Sequence, residues 1–236
     1  MAKETSSSYS KVAQLIDAGL RDYMRTVFAY MSGGLAITAL VAYFASTSSD
    51  FMHFLFSSSL VFWIVALAPL GISLYLVGKI SSIPASTART LFFVYSGVLG
   101  LSLSSIFLVY SHQSIATTFF VASSMFLSMV IYGYATERDL TNFGSFLFMG
   151  LIGLIIASIV NIFMKSGVAS LVISAIGVVV FTGLTAFDAQ VIKSYYLESD
   201  SSEISEKKAV LGALNLYLDF INLFLYLLRF LGSERR

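Results

Sequence analysis

The chain has no cysteine. That excludes disulfides, thiolate metal sites and cysteine nucleophiles. Histidine is scarce too. His53 and His112 are the only two, too few for a histidine-rich metal centre. Charge is the third shortage. Asp, Glu, Lys and Arg make up 11% of the 236 residues, less than half of the roughly one quarter usual in soluble domains. The net charge is +1, and no basic or acidic block is long enough to hold nucleic acid. No cofactor-binding motif stands out. Water is therefore not the main solvent of this chain.

What is present is apolar length. Apolar residues make up 57% of the chain, and the mean hydropathy is +0.85. A helix needs roughly 20 apolar residues, at about 1.5 Å each, to cross about 30 Å of hydrocarbon. Seven stretches qualify: 26–46, 54–78, 90–110, 115–135, 144–164, 168–187 and 209–231. The first six contain no Asp, Glu, Lys or Arg. The expected class is all-α and integral to a membrane, with seven spans. The expected organisation is a polar segment at 1–25, a membrane domain at 26–232 and a tail at 233–236. The first 25 residues lack the early apolar core of a signal peptide, so the first span is expected to be retained. Connections read as short except 189–208. Pro69 is expected to kink the second span.

Basic residues in short loops set orientation. Lys79, Arg89, Arg138, Lys193, Lys207 and Lys208 fall on the side of the N-terminus, with Arg21 and Arg25 in the entry segment. The opposite loops hold Lys165. The N-terminus is therefore expected in the cytoplasm. Arg229, Arg235 and Arg236 run against this bias, since seven full spans carry the C-terminus across; a re-entrant last segment is the alternative that would keep them inside. Small residues mark expected close helix approaches: Gly33-Gly34, Gly97 with Gly100, Gly150, and Gly153 with Ala157. Asn161 is expected to make an interhelical hydrogen bond. Ser104, Ser105, Ser123, Ser124 and Ser128 are expected to bond back to their own helices. Glu198, Asp200, Glu203 and Glu206 read as a solvated acidic loop beside Lys207 and Lys208, with the option of gathering cations.

Three ionisable residues lie in or at the edge of a span. Arg229 is near an end and can snorkel. Asp188 and Asp219 are too short to do so, and an Asp near a helix centre costs roughly 2.5 to 3.5 kcal/mol to insert. The sixth helix is expected to continue to about Tyr196, which puts Asp188 about 12 Å deep at 1.5 Å per residue. From a start near Ala209, Asp219 lies about 15 Å deep by the same rise. Asn215, Asp219, Asn222 and Tyr226 are spaced four, three and four, which is one helical stripe. Ser174, Gly177, Thr185 and Asp188 form a second stripe, with Phe181 between. Both stripes should turn away from lipid, which lets the carboxyls meet. Two carboxyls in contact tend to share one proton and titrate as a pair, so they can sense pH. Their oxygens also suit a hard cation such as calcium, with Thr185, Asn215 and Asn222 in support. The alternative role is a plain hydrogen-bonded staple between two helices.

The stretches TAFDAQVIKSYY (185–196) and ALNLYLDFINLFLYLLRFLG (213–232) resemble the Bax inhibitor family of transmembrane proteins. GYATERDLTNFGSFLFMGLIGLIIASIVNIF (133–163) is similar to the bacterial branch of that family. The resemblance covers most of 20–232. It implies seven helices with the last one central and wrapped by the other six. It also implies a pH-sensitive calcium leak in a bacterial inner membrane, controlled by a di-aspartyl sensor at Asp188 and Asp219. The family pattern has an arginine near the end of the second helix that latches the first of these acids. Here the region reads YLVGKISSIPASTAR, and Lys79 is the nearest substitute for a latch, lacking bidentate geometry. The implied partners are the lipid bilayer and calcium. Some bacterial relatives are associated with a membrane-bound ATP-dependent protease, for which residues 1–25 would be the handle. An enzyme is not expected. An intramembrane aspartyl protease also needs two such acids, but its glycine-rich string is missing from NLYLD.

Overall fold

A computed structural model of the chain describes residues 2–233, with side chains from residue 18 onward. The expected tail at 233–236 lies outside the described residues from 234 on, and so do the first seventeen side chains of the expected polar segment. Among the described residues the fold is all helix: α1 (Ala2–Thr47), α2 (Ser49–Leu55), α3 (Ser59–Lys79), α4 (Ala85–Leu103), α5 (Ile106–Val109), α6 (His112–Ala135), α7 (Thr141–Met164), α8 (Gly167–Ser194) and α9 (Ser202–Leu231). Seven segments are long and apolar enough to cross a membrane, with α4 and α5 together forming the third.

Local chemistry starts these helices. Ser48, Ser58, Ser111, Ser166 and Ser201 each accept a backbone N–H from three residues ahead, which begins α2, α3, α6, α8 and α9. Asp139 does related work before α7. Its Oδ1 accepts the Thr141 N–H at 2.8 Å, and hydrogen bonds from Thr141 hold this carboxyl below its usual range. Before α4 stands Pro84, which has no side-chain acceptor to offer. The cap comes from another helix instead. Glu203 of α9 accepts the Ala85 N–H through Oε1 at 2.8 Å.

Several expectations change at the ends. α9 begins at Ser202 and α8 ends at Ser194, so the long connection expected at 189–208 shrinks to 195–201. Glu203 and Glu206 lie on helix rather than in a loop. Glu206 Oε1 is 3.1 Å from Arg89 and accepts the Tyr30 hydroxyl at 3.0 Å. Lys208 donates to Asp200 at 2.6 Å and to the Tyr195 carbonyl at 2.9 Å. These carboxylates are engaged, so the expected acidic loop is a clasp between α1, α4 and α9. Pro69 lies inside α3, which is continuous across it, as a kinked or a straight helix would be. A break in a span falls at Ser104-Ser105, where the hydroxyls of Ser104 and Ser105 return to carbonyls of α4 and that of Ser102 reaches the Val65 carbonyl of α3 at 2.6 Å. Ser123, Ser124 and Ser128 bond back in the same way, as expected. Asn161 does not cross the bundle. It accepts the Ser166 N–H across the α7–α8 turn.

α9 is the centre. It is buried over 67% of its apolar window, against 39% for α8 and 28% or less for the others. α8, α1, α6 and α4 pack on it, while α7 lies against α8 and α3 against α4. Lipid is as apolar as leucine, so helices in a bilayer are held by close fit rather than by the hydrophobic effect. The glycines show where the fit is closest. A Cβ on Gly34 would stand 2.8 Å from Phe92 and Ser96, and one on Gly100 would stand 2.7 Å from the Thr38 carbonyl. Gly153 meets nothing within 4 Å, so the close helix approach expected at Gly153 and Ala157 is not made at Gly153 within this chain. The tightest helix crossing was not anticipated. At Gly133 of α6 a Cβ would collide with the Ala186 carbonyl of α8.

That contact is backbone, which cannot swing aside. Gly133→Ala should cost about 1–3 kcal/mol through overpacking, read as a lower unfolding temperature in detergent. Gly153→Ala, with open space around it, should be neutral or slightly stabilising. Equal tolerance of the two would show that the α6–α8 crossing is looser than described.

Candidate functional site

The site lies where α7, α8 and α9 meet. Asp188 of α8 and Asp219 of α9 line one cavity there, close enough for the two carboxyls to interact directly. Two neighbouring acids in a low dielectric tend to share one proton. Asp219 is 5% exposed, whereas Asp188 is half-buried. Oδ2 of Asp219 receives no hydrogen bond from any N–H or hydroxyl among the described residues. The cavity that this carboxyl lines also holds Asp188, Asn215 and Asn222.

A cavity of about 380 Å³ opens beside the pair. Asp188, Phe181 and Leu184 of α8 line it, with Asn215, Leu218, Asp219, Asn222 and Tyr226 of α9. The stripe read from spacing on α9 is thus one wall. Asn222 donates its amide to the Leu218 carbonyl at 2.8 Å, which leaves its own carbonyl oxygen unused by the helix. Tyr226 stacks on Phe181 with ring centres 5.7 Å apart. A Cβ on Gly177 would lie 2.6 Å from the Tyr226 ring, so the missing side chain is what lets Tyr226 lie against α8.

Not every expected residue joins. Thr185 is fully buried, but its hydroxyl donates to the Phe181 carbonyl of its own helix at 2.7 Å, and it does not line the cavity. It misses because a threonine in a helix finds the carbonyl four residues back before any partner. Lys79 is exposed at the end of α3, a helix that packs on α2 and α4 rather than on α8. The latch expected of it is not formed here. Arg89 is committed to Glu206. No Lys or Arg lines the cavity, so the carboxyl pair has no internal counter-charge. The stripes were expected to face the interior. Asp219 does, while Asp188, Asn215 and Asn222 are half-buried along a cleft with an open side. As for calcium, no group of three or more His, Cys, Asp or Glu able to hold a metal occurs among the described residues.

Phe148, Leu151 and Ile155 of α7 supply the remaining wall. Sequence reasoning passed over them, although their spacing of three and four marks a helix face. A second polar set also went unread. Thr38 of α1 donates to the Gly34 or Ser96 carbonyl, each at 2.9 Å, and lies 2.6 Å from the Tyr217 hydroxyl. A hydroxyl has one proton, so with Thr38's spent on a carbonyl, Tyr217 is the donor. Tyr217 is two residues from Asp219 and binds α9 to α1 and α4 on the opposite side.

Comparison with known proteins agrees with this architecture. The family model described as inhibitor of apoptosis-promoting Bax1 matches residues 20–236. This chain belongs to the Bax inhibitor family. Similar family relatives are bacterial. An uncharacterised protein of Rickettsia prowazekii is 48% identical over 231 residues, covering 98% of this chain and 96% of that one. The inner membrane protein YbhL of Escherichia coli K12 is 46% identical over 220 residues, covering 92% and 94% respectively. An uncharacterised protein of Borreliella burgdorferi is 47% identical over 214 residues, covering 90% and 92%. None of the three bears an enzyme's name. Family membership and the seven apolar helices together make this a membrane protein.

The absence of native cysteine allows a direct check of the geometry. The double variant Asp188→Cys with Asp219→Cys should crosslink within one chain under the shortest bis-methanethiosulfonate reagent. Lys79→Cys with Asp188→Cys should not. Mass spectrometry of the linked peptides reads the result. The reverse pattern would put the acids apart and the lysine beside Asp188.

Proposed function

We propose that this Bax inhibitor family member is a pH-sensitive cation leak of a bacterial inner membrane. Calcium is the expected ion, the N-terminus is cytoplasmic, and Asp188 and Asp219 are the sensor. One observation carries the reading: two intramembrane carboxyls, on α8 and α9, line the same cavity, and no basic residue lines it. Intramembrane acids are costly enough that a functional role is the default. The orientation rests on the basic residues gathered at the end where α1 enters.

With one proton shared, the pair bridges the two helices. Without it, two like charges remain in contact. At about 4 Å and an effective dielectric constant of about 20, they repel by about 4 kcal/mol. That is ample to push apart helices held mainly by packing. A cation between the oxygens replaces the proton and removes the repulsion. Protons and calcium therefore compete for the same atoms. Calcium prefers six to eight oxygen ligands. Two carboxyls, with Asn215 and Asn222 alongside, offer at most six oxygens, the bottom of that range, and only the carboxyls carry charge. Weak binding of this kind suits an ion that passes through rather than one that stays.

The test is calcium entry into liposomes carrying the purified protein, measured across a pH series. Wild type should show one pH-dependent transition. Asp188→Asn and Asp219→Asn should each flatten it, because an amide cannot join the proton exchange. A wild type without flux at any pH overturns the reading. So does a pH response that survives in both variants.

A further inference from the structure

The cavity beside the acids has a property that a calcium path does not use. Most of its lining is apolar or aromatic: Phe148, Leu151 and Ile155 on one side, Phe181, Leu184 and Tyr226 on another. An inorganic cation with its water would touch the polar edge and gain nothing from the rest. About 380 Å³ lies within the range of sites that enclose small organic molecules, which pair apolar walls with a few convergent polar groups.

The charge balance points the same way. Two acids sharing a proton carry one negative charge, and no lysine, arginine or histidine lines the cavity to meet it. A single uncompensated charge in a dry site is costly. Oδ2 of Asp219 is buried and accepts no hydrogen bond from an N–H or hydroxyl among the described residues. Asn222 ties one amide hydrogen to Leu218 and brings a carbonyl oxygen to the same wall. The site thus gathers two carboxyls and two amide groups with no cationic side chain among its lining. The stacked Phe181 and Tyr226 rings add aromatic surface against which a cation is attracted.

Access is from the side. Phe148 and Ile155 line the cavity and are also 47% and 52% exposed on the outer surface of the bundle. At the depth of Asp188, that surface meets hydrocarbon. A ligand that partitions into the bilayer reaches the opening directly.

We propose that the cavity between α7, α8 and α9 binds a hydrophobic organic monoamine in its protonated form. The ammonium sits against Asp188 and Asp219, and the apolar body lies along Phe148, Phe181 and Tyr226. This deepens the reading of the same carboxyl pair, but it does not depend on ion flux. An occupant there would stand in the place of the permeant cation and act as a plug.

Binding to the full chain in lipid nanodiscs tests this, with empty nanodiscs subtracted. The probes are 1-naphthylmethylamine and its neutral analogue 1-naphthylmethanol, followed by naphthalene fluorescence. The amine should bind saturably, one per chain, and the alcohol at least about tenfold more weakly, since a charge-assisted hydrogen bond is lost. Asp188→Asn and Asp219→Asn should weaken amine binding by a similar factor and leave the alcohol unchanged, which separates lost charge from lost fold. Asp188→Glu should keep most of the amine affinity. Equal binding of amine and alcohol, or unchanged amine binding in both Asn variants, would overturn the proposal. Since no flux is measured, a failed leak leaves this result standing, and a failed binding experiment leaves the leak untouched.

Discussion

An aspartate in the middle of a transmembrane helix has to be kept out of lipid, and most of this structure follows from that need at Asp219. The side chain is too short to reach water. Its helix must therefore be wrapped, and α9 is wrapped by α1, α4, α6 and α8. Wrapping a helix closely in a bilayer requires small residues at the crossings, because no hydrophobic force presses the helices together. Gly34 and Gly100 serve α1 against α4, and Gly133 serves α6 against α8. Gly177 admits Tyr226 to α8 beside the site. The acid at the centre and the glycines around it belong to one solution.

Rotation of α9 about its own axis matters as much as its position. A turn of the helix would carry Asp219 away from Asp188. Three attachments oppose it. Near its start, Glu203 caps α4 and Glu206 holds Arg89 and Tyr30. At mid-length, Tyr217 bonds Thr38 on the side away from the acids. At its end, Ser233 exchanges hydrogen bonds with Ser111 and Ser114 before and within α6. None of these attachments touches the carboxyl pair, yet each fixes the face that α9 presents to α8. The clasp near the start is made of residues that read in sequence as an ordinary acidic loop.

The site was partly legible from spacing. Asn215, Asp219, Asn222 and Tyr226 line one cavity, as a four-three-four pattern requires of any helix. Asp188 joins them because two acids at matching depth on consecutive antiparallel helices have each other as the nearest polar partner. Thr185 and Lys79 failed for different reasons. Thr185 has a carbonyl of its own helix within reach. Lys79 lies at the matching end of the bundle but on a helix that packs on α2 and α4 rather than on α8. Depth can be counted along a chain, whereas lateral neighbours cannot.

That distinction divides what each level of description decided. The sequence alone determined the solvent, the number of spans, most helix starts and the two costly acids. Apolar run length, serine caps and the penalty for burying a carboxylate are local quantities. Tertiary structure alone decided which helices are neighbours, that α7 closes one wall, that Glu203 caps a helix more than a hundred residues earlier in the chain, and that the cavity opens sideways without a basic residue. Those features depend on how seven similar cylinders pack, and many packings satisfy the same hydropathy. Backbone fit selects among them, to within the width of a methyl group at Gly133.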